Sequence, residues 1–439
     1  MLKSLNREVL RLAVPSILAN ITVPLVGIVD TAIAGHISDA SAIGGIAIGA
    51  MLFDLLYWNF GFLRVGTAGM TAQAYGRGDG TTADILAQSL AVAIGGAILV
   101  LLLQWVFLTI SLMLIPCSAE VSSFARDYFF IRIWASPATL SLLALRGWFI
   151  GMQSTAHTMA VDLTVNVVNM IASWLLAVCT PLGAIGVAWG TVVAQYTGLV
   201  IAVIILLSKY KTTLKRVFCI DLLREALSWQ KMRRLFVLNG NLFVRSLCFM
   251  VVYVGFTSLA SKFGDTELAV SSIMMRLFML FSYFIDGFAY AGEALTGRFY
   301  GEHNALGMRQ TVRILFYWTM GIGVVCTLLY AFAGDMMIRL MTNDSDIMVA
   351  ARPYRIWLIL MPVVSCLAFL WDGIFIGATA GAYLRNSMIL AAVGFVAGYL
   401  LLESVCGMQA LYIAYFVHLV ARAAYLTVRY RSIQISDPS

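Results

Sequence analysis

Residues 10–34 read LRLAVPSILANITVPLVGIVDTAIA, an apolar run that contains Pro15, Pro24 and a single acid, Asp30. A helix of about 20 apolar residues crosses a bilayer, so this run is long enough to span one. It is too long for a cleaved signal peptide, whose apolar region has roughly 7–15 residues. Because the bilayer core offers no water to backbone polar groups, we expect the run to be a helix.

Apolar runs of this length recur along all 439 residues, of which 61% are hydrophobic and 12% are charged. A soluble domain needs more charge to cover its surface. A β-barrel would show short alternating segments instead. We therefore predict an all-α integral membrane protein with twelve transmembrane helices in two pseudo-symmetric six-helix lobes. The predicted spans lie near 8–34, 42–75, 85–114, 124–151, 157–179, 183–208, 233–262, 267–300, 308–333, 350–377, 386–402 and 408–430.

The distribution of lysine and arginine indicates the orientation of these spans. The connection at 209–234 and both termini are rich in basic residues, whereas the connections at 35–41, 180–183 and 403–407 are poor in them. Because basic loops stay on the cytoplasmic side, we place both termini and the 209–234 connection in the cytoplasm. The protein is thus expected to be a multi-pass protein of the inner (plasma) membrane, in contact with the lipid bilayer. Its net charge of +7 comes mostly from loops, and we expect no nucleic-acid partner.

The two halves of the chain resemble each other. Their shared order and offset predict an internal duplication, with an N-terminal lobe at 1–215 and a C-terminal lobe at 216–439. Transporters use parallel repeats of this kind. The matching segments are 74–76 (AYG) with 299–301 (FYG), 132–134 (RIW) with 355–357 (RIW), and 147–151 (GWFIG) with 373–377 (GIFIG).

Several motifs resemble the multidrug and toxic compound extrusion (MATE) family. The resemblance runs over nearly the whole chain. It implies a twelve-helix, two-lobed antiporter that uses a proton or sodium gradient, in which the charge of Asp30 changes the bend of the first helix. Segments 20–25 (NITVPL), 29–32 (VDTA) and 35–36 (GH) look like its first helix, and 69–76 (GMTAQAYG) looks like the end of its second. Segments 286–290 (DGFAY), with Glu293, and 372–379 (DGIFIGAT) look like the DinF-like branch.

Polar residues line one face of the fifth span. One interpretation is that they hold helices together by hydrogen bonds. The other is a functional site, because the directions of the spans bring Asn169, Ser173 and Thr191 to the depth of Asp30, where the four side chains could line one oxygen-rich pocket. The face is defined by the spacing i, i+4, i+7 and i+11 of Asp162, Asn166, Asn169 and Ser173.

The family resemblance implies a cation site at these positions, with Asp30 as the essential acid and Asn169 and Thr191 as neutral ligands. Many members carry a second acid where this chain has Ser173. A single carboxylate makes a poor sodium cage, since hard cations favour more anionic ligands. We therefore expect proton coupling at Asp30, Asn169, Ser173 and Thr191. Sodium at Asp30, Asn169 and Thr191 is the alternative, and no other cofactor is expected.

The C-terminal half holds a second predicted polar cluster, formed by Arg245, Asp286, Glu293 and Asp372. Asp286 and Glu293 are seven residues apart and share a helix face. Arg245 lies at about the depth of Asp286, so we expect the two to form a structural ion pair. Other members of the family place an acid on the seventh span for a second sodium site, and Arg245 argues against such a site here.

Two features of the first two spans admit two interpretations each. Pro15 and Pro24 remove backbone hydrogen bonds from the first span, so they produce either a static kink or a hinge. Asp54, midway through the second span, either lines a cavity or pairs with Arg64.

These features favour a secondary antiporter that exports small organic compounds, cationic or amphipathic, in exchange for protons. The alternative is a flippase for lipid-linked substrates with a similar two-lobed architecture, which would need cationic residues to hold phosphates. The chain has no Walker motif for ATP. It is not expected to be an enzyme, because its four histidines lie far apart and it has no HExxH or GxSxG motif. We expect a monomer that binds a small-molecule substrate.

Overall fold

The structure is a computed structural model that describes residues 2–37, 40–115, 117–217, 220–342 and 344–435. The regular secondary structure of these residues is entirely helical, and twelve segments are long and apolar enough to cross a membrane. The predicted fold class is therefore confirmed. The α-helices are α1 (Leu2–Ile37), α2 (Ala40–Asn59), α3 (Phe62–Arg77), α4 (Thr82–Leu114), α5 (Ala119–Arg132), α6 (Ser136–Gly151), α7 (Thr155–Val178), α8 (Ile185–Lys209), α9 (Lys211–Val217), α10 (Ile220–Ala226), α11 (Trp229–Ala260), α12 (Asp265–Gly301), α13 (Ala305–Met341), α14 (Ser345–Ala351), α15 (Arg355–Gly377), α16 (Gly381–Cys406) and α17 (Gln409–Arg429).

Three of the predicted spans are interrupted by short turns. The second is divided between α2 and α3, the fourth contains a 3-10 turn at Ile133–Ala135, and the tenth contains one at Arg352–Tyr354. Pro137 and Pro353 lie at the latter two turns, where a missing N–H is tolerated. The first span differs, because α1 stays helical through both of its prolines.

Residues 18–236 form one compact unit. In this unit α7 packs along α8, α3 against α6 and α2 against α5. One part of its core contains the fully buried side chains of Leu142, Trp148 and Val161. Such apolar packing, together with helix backbones that satisfy their own hydrogen bonds, positions the polar residues of α7 and α8.

Residues 1–17 and 237–439 form the second unit. Here α12 packs against α15, α16 against α17 and α13 against α15. The core includes Phe256, Phe278 and Tyr412, and it contains stacked or edge-to-face aromatic rings. The start of α1 joins this unit through Trp318, whose Nε1 donates a hydrogen bond to Asn6 Oδ1 at 2.6 Å.

The boundaries of the two units differ from the lobe division predicted at residues 215 and 216. The end of the connecting segment groups with residues 18–236 because it is tied to α4. Gln88 donates a hydrogen bond to the carbonyl oxygen of Ala226 at 2.8 Å, and Lys231 lies 3.2 Å from Asp84. The division into lobes itself stays a prediction.

The repeated GWFIG and GIFIG segments are packing motifs. A Cβ atom on Gly147 would lie 2.2 Å from the Arg64 carbonyl oxygen, so α6 touches the backbone of α3 there. A Cβ atom on Gly373 would lie 2.2 Å from the Ala289 carbonyl oxygen, so α15 touches α12 in the same way. Small residues permit this close approach of membrane helices. Both copies of the motif therefore make the same kind of helix contact.

Candidate functional site

The first and seventh helices contact each other through polar side chains. Asn166 Nδ2 on α7 donates a hydrogen bond to Thr22 Oγ1 on α1 at 2.6 Å. Thr22 Oγ1 in turn donates to the Ala19 carbonyl oxygen at 2.7 Å. This contact fixes α1 beside the polar face of α7 that the sequence indicated.

The seventh and eighth helices are joined by a buried hydrogen bond between two predicted site residues. Asn169 Nδ2 donates to Thr191 Oγ1 at 3.1 Å, and Thr191 Oγ1 donates to the Val187 carbonyl oxygen at 3.2 Å. The two helices approach closely at this point, because a Cβ atom on Gly190 would lie only 2.4 Å from Ser173 Oγ. The amide group of Asn169 is consequently held in one orientation, with its oxygen left available.

Three oxygen atoms of the predicted site residues are buried and lie within hydrogen-bond geometry of no described residue. They are Asp30 Oδ1, Asn169 Oδ1 and Ser173 Oγ, although the Ser173 hydroxyl lies close enough to the Asp30 carboxylate to donate to it. Ser173 lies next to the Asp30 carboxylate, and its side chain is fully buried. A buried polar atom without a partner costs about 1–3 kcal/mol, so such a set needs an occupant or a function. These atoms suit a proton on the carboxylate or a small cation.

A residue that sequence reasoning did not assign to the site is Arg132. Its guanidinium interacts electrostatically with both Asp30 and Asp54, and its Nη1 donates a hydrogen bond to Tyr128 Oη at 3.0 Å. The guanidinium also lies over the Phe53 ring, 4.7 Å from its centroid. The sequence did contain a signal for Arg132, because an ionisable residue within an apolar span is a candidate functional residue.

The structure bears on one of the two interpretations of Asp54. Its charged neighbour is Arg132, and its side chain is exposed, so the interpretation of Asp54 as a partner of Arg64 is not supported. Arg64 lies near Asp162 instead, whose Oδ1 is 2.6 Å from Arg146 Nε. Asp162 is therefore part of a structural ion pair, although it shares a helix face with Asn169.

The ion pair predicted between Arg245 and Asp286 is also wrong. Arg245 Nη2 instead contacts Asp372 Oδ2, and Arg422 on α17 contacts both oxygens of the same carboxylate. Matched depth made Asp286 a candidate, but Asp372 on α15 is the acid that packing brings to α11. Glu293, the remaining member of the predicted C-terminal cluster, is almost fully buried on α12.

Within the described part of the chain, no group of three or more His, Cys, Asp and Glu side chains could hold a metal ion. The ligands available near Asp30 are therefore one carboxylate and neutral oxygens. Sodium would be held by the oxygens of Asp30, Asn169 and Ser173, and Thr191 would act through Asn169. Such a set also accepts a proton, which needs one carboxylate oxygen only.

Comparison with known proteins relates the whole chain to transporters. A family model described as MatE matches residues 15–175 and again 242–402, which agrees with the predicted duplication. The chain is 34% identical over 432 residues to DNA damage-inducible protein F of Escherichia coli K12, covering 98% of this chain and 93% of that protein. It is 25% identical over 451 residues to a probable multidrug resistance protein NorM of Caulobacter vibrioides, covering 98% and 92%. Its fold is similar to the bent form of the Vibrio cholerae MATE transporter VcmN, with a TM-score of 0.88, 15% identity and coverage of 99% and 98%.

Proposed function

Because the chain belongs to the MatE family, and is thus a multi-pass membrane transporter of small molecules and no enzyme, we propose that it is a proton-coupled antiporter. It would export small organic compounds, cationic or amphipathic, in exchange for protons. The flippase alternative is not favoured by the relatives described above. We further propose that the protein acts as a monomer in the inner membrane, with both termini in the cytoplasm and no nucleic-acid partner.

The observation that carries this proposal is the set of buried oxygens on Asp30, Asn169 and Ser173. A proton on Asp30 would give the carboxyl group a donor, which the Ser173 hydroxyl or the Asn169 amide oxygen can accept. After deprotonation the Ser173 hydroxyl could still donate to the carboxylate, but the amide oxygen of Asn169 has no donor to offer, and the negative charge would lie in a poorly hydrated place. The two charge states of Asp30 therefore favour different packing of the helices around it.

The proposed coupling requires that the free energies of those two packings differ by only a few kcal/mol. One pH unit supplies roughly 1.4 kcal/mol per proton, and 100 mV supplies about 2.3 kcal/mol per charge. Pro15 and Pro24 lie inside α1 and weaken its backbone hydrogen bonding, so that α1 is the helix expected to bend. We therefore propose that α1 has a hinge at these two prolines.

Sodium is the less suitable ion for this set of ligands. It prefers several oxygen ligands with more than one negative charge among them, and Asp30 supplies one carboxylate. A proton removes the negative charge of the carboxylate without requiring a cage.

Transport in proteoliposomes with separately imposed gradients tests the proposal. The probe is the ethyl ester of rhodamine B, an amphipathic organic cation, and its movement is followed by fluorescence. We expect a proton gradient alone to drive export and a sodium gradient alone to have no effect. Export driven by sodium at equal pH on both sides would overturn proton coupling.

A further inference from the structure

The unit formed by residues 1–17 and 237–439 contains one carboxylate held by two guanidinium groups. Arg422 on α17 binds Asp372 on α15 through two nitrogens, with Nε donating to Oδ1 at 3.2 Å and Nη2 contacting Oδ2. Arg245 on α11 contacts the same Oδ2 through Nη2. This cluster, Arg245–Asp372–Arg422, therefore carries two positive charges and one negative charge.

The members of the cluster differ in exposure. Arg422 and Asp372 are 2% and 6% exposed, so their pairing is closed to other ligands. The side chain of Arg245 is 20% exposed. Arg422 contacts Asp372 through two of its nitrogens. Arg245 contacts Asp372 through one nitrogen only, so its other N–H groups can donate to a further acceptor. Arg245 is thus the accessible cation of the cluster.

The residue one turn before Arg422 does not balance the charge. His418 is 1% exposed, its Nδ1 has no hydrogen-bond partner among the described residues, and a histidine can add only positive charge. An excess positive charge inside membrane-spanning helices costs free energy unless an anion compensates it. A guanidinium group is suited to carboxylates and phosphates, which it binds by two parallel hydrogen bonds.

The other unit contains clusters of both kinds, because Asp162 lies near two guanidinium groups, those of Arg146 and Arg64. In the same unit Asp30 and Asp54 share the single guanidinium of Arg132, which leaves one negative charge in excess when both acids are ionised. The Arg245–Asp372–Arg422 cluster therefore differs in the sign of its excess charge from the cluster around Arg132.

We propose that the Arg245–Asp372–Arg422 cluster binds an oxyanion, specifically the carboxylate of an amphipathic substrate, with Arg245 as the residue that contacts it. The substrates would then include zwitterionic and anionic amphiphiles as well as cations. This inference rests on the proposed export function. The phosphate of a lipid headgroup has the same chemistry, and the experiment must distinguish the two sources.

The test compares two dyes that differ only in one group. Rhodamine B carries a xanthene cation and a free carboxylate, and its ethyl ester keeps the cation and lacks the carboxylate. Binding to the purified full chain in detergent is measured by fluorescence anisotropy, without any gradient. We expect rhodamine B to bind more tightly than the ester, and Arg245→Gln to weaken its binding by about 10-fold or more, as expected for a lost charge-assisted hydrogen bond. Binding of the ester should not change.

Two further variants separate charge from structure. Arg245→Lys keeps the charge and should restore part of the preference for rhodamine B. Arg276→Gln, a matched change at an exposed position of α12, should have no effect. Arg245→Gln leaves Asp372 paired with Arg422, so a folded protein is expected, and its elution in gel filtration checks this.

Several results would overturn the assignment. They are equal binding of the two dyes by the unaltered protein, an equal loss for both dyes in Arg245→Gln, or the same loss in Arg276→Gln. A further measurement adds phosphatidylglycerol as a competitor. If this lipid displaces neither dye, the result supports a substrate carboxylate as the anion that Arg245 binds. If the lipid binds in an Arg245-dependent way while the two dyes bind equally, the anion is a lipid headgroup and the substrate assignment falls. Failure of proton-driven ester export would count against the proposed function alone, because this binding assay needs no gradient.

Discussion

Asn169 donates its amide N–H to Thr191 at 3.1 Å and thereby keeps its own carbonyl oxygen buried and without a partner. The hydrogen bond fixes the orientation of the amide group, which would otherwise rotate to offer N–H groups to Asp30. An acceptor oxygen held near a carboxylate is tolerable only when a proton or a cation lies between them. Thr191 is in this sense an orienting residue.

Asp30→Asn is expected to abolish proton-driven export and leave the protein folded. The amide mimics the protonated carboxyl group in shape and cannot lose a proton. Asp30→Glu should keep part of the activity, since the acid remains and its reach changes. The measurement is the initial rate of dye export at a fixed pH gradient. Asp127→Asn, the same change at an exposed position of α5, is the control and should keep the unaltered rate. Unaltered export by Asp30→Asn would place the switch elsewhere.

Thr191→Val is expected to reduce proton coupling and to lower stability by about 1 kcal/mol. The amide N–H of Asn169 loses its acceptor, so the amide becomes free to rotate toward Asp30. Thr197→Val is the matched control, because Thr197 lies on the same helix and, among the described residues, its hydroxyl donates only to the Val193 carbonyl oxygen of its own helix. The number of protons moved per dye should fall in Thr191→Val and remain the same in Thr197→Val. Identical behaviour of the two variants would contradict the orienting role of Thr191.

Gly190→Ala should destabilise the protein through the contact between α7 and α8. The new Cβ atom would lie 2.5 Å from the backbone nitrogen of Ser173, which can move only if the helices separate. We expect a lower Tm and a loss of export. Gly95→Ala on α4 meets no atom within 4 Å and should be neutral or slightly stabilising, since alanine favours a helix over glycine. A Tm for Gly190→Ala equal to that of Gly95→Ala would show that the helices do not pack as described.

Arg132→Gln is expected to slow export strongly, because Asp30 and Asp54 would lose the cation that they share. Arg132→Lys keeps the charge and should retain more activity, although lysine cannot reproduce the planar contact over Phe53. The comparison is made at constant protein amount in the membrane. If the Arg132→Gln and Arg132→Lys variants export the dye equally well, the charge of residue 132 has no part in coupling.

The predicted orientation can be checked with single-cysteine variants and an impermeant maleimide. Thr212→Cys, in α9 of the 209–234 connection, should react only after the membrane is permeabilised. Native Cys117 and Cys179 are exposed, and the same topology places them at the outer side. Each of these two, retained alone, should react in intact cells. Labelling of Thr212→Cys from outside would reverse the orientation.

The sequence predicted the number and class of the spans because apolar length alone determines whether a helix crosses a bilayer. It did not predict the partner of Arg245. Depth in the membrane, which is only one coordinate, was the basis on which Asp286 was expected to be the partner. The partner also depends on which helices adjoin and how each is rotated, and those are set by contacts such as that of Gly373 with Ala289. Arg132 was not assigned to the site for a related reason. In the sequence it was noted only as the first residue of the RIW segment that recurs at 355–357.

The glycine contacts of α6 with α3 and of α15 with α12 have a consequence for how the two halves of the chain diverged. A helix that touches its neighbour through backbone atoms tolerates no added side chain at that point, so Gly147 and Gly373 remain alike. Charged positions obey no such restriction. Around Arg132 two acids share one guanidinium, whereas around Asp372 two guanidinium groups share one acid. Duplication thus supplied one scaffold twice, and the chemistry of each copy was free to specialise.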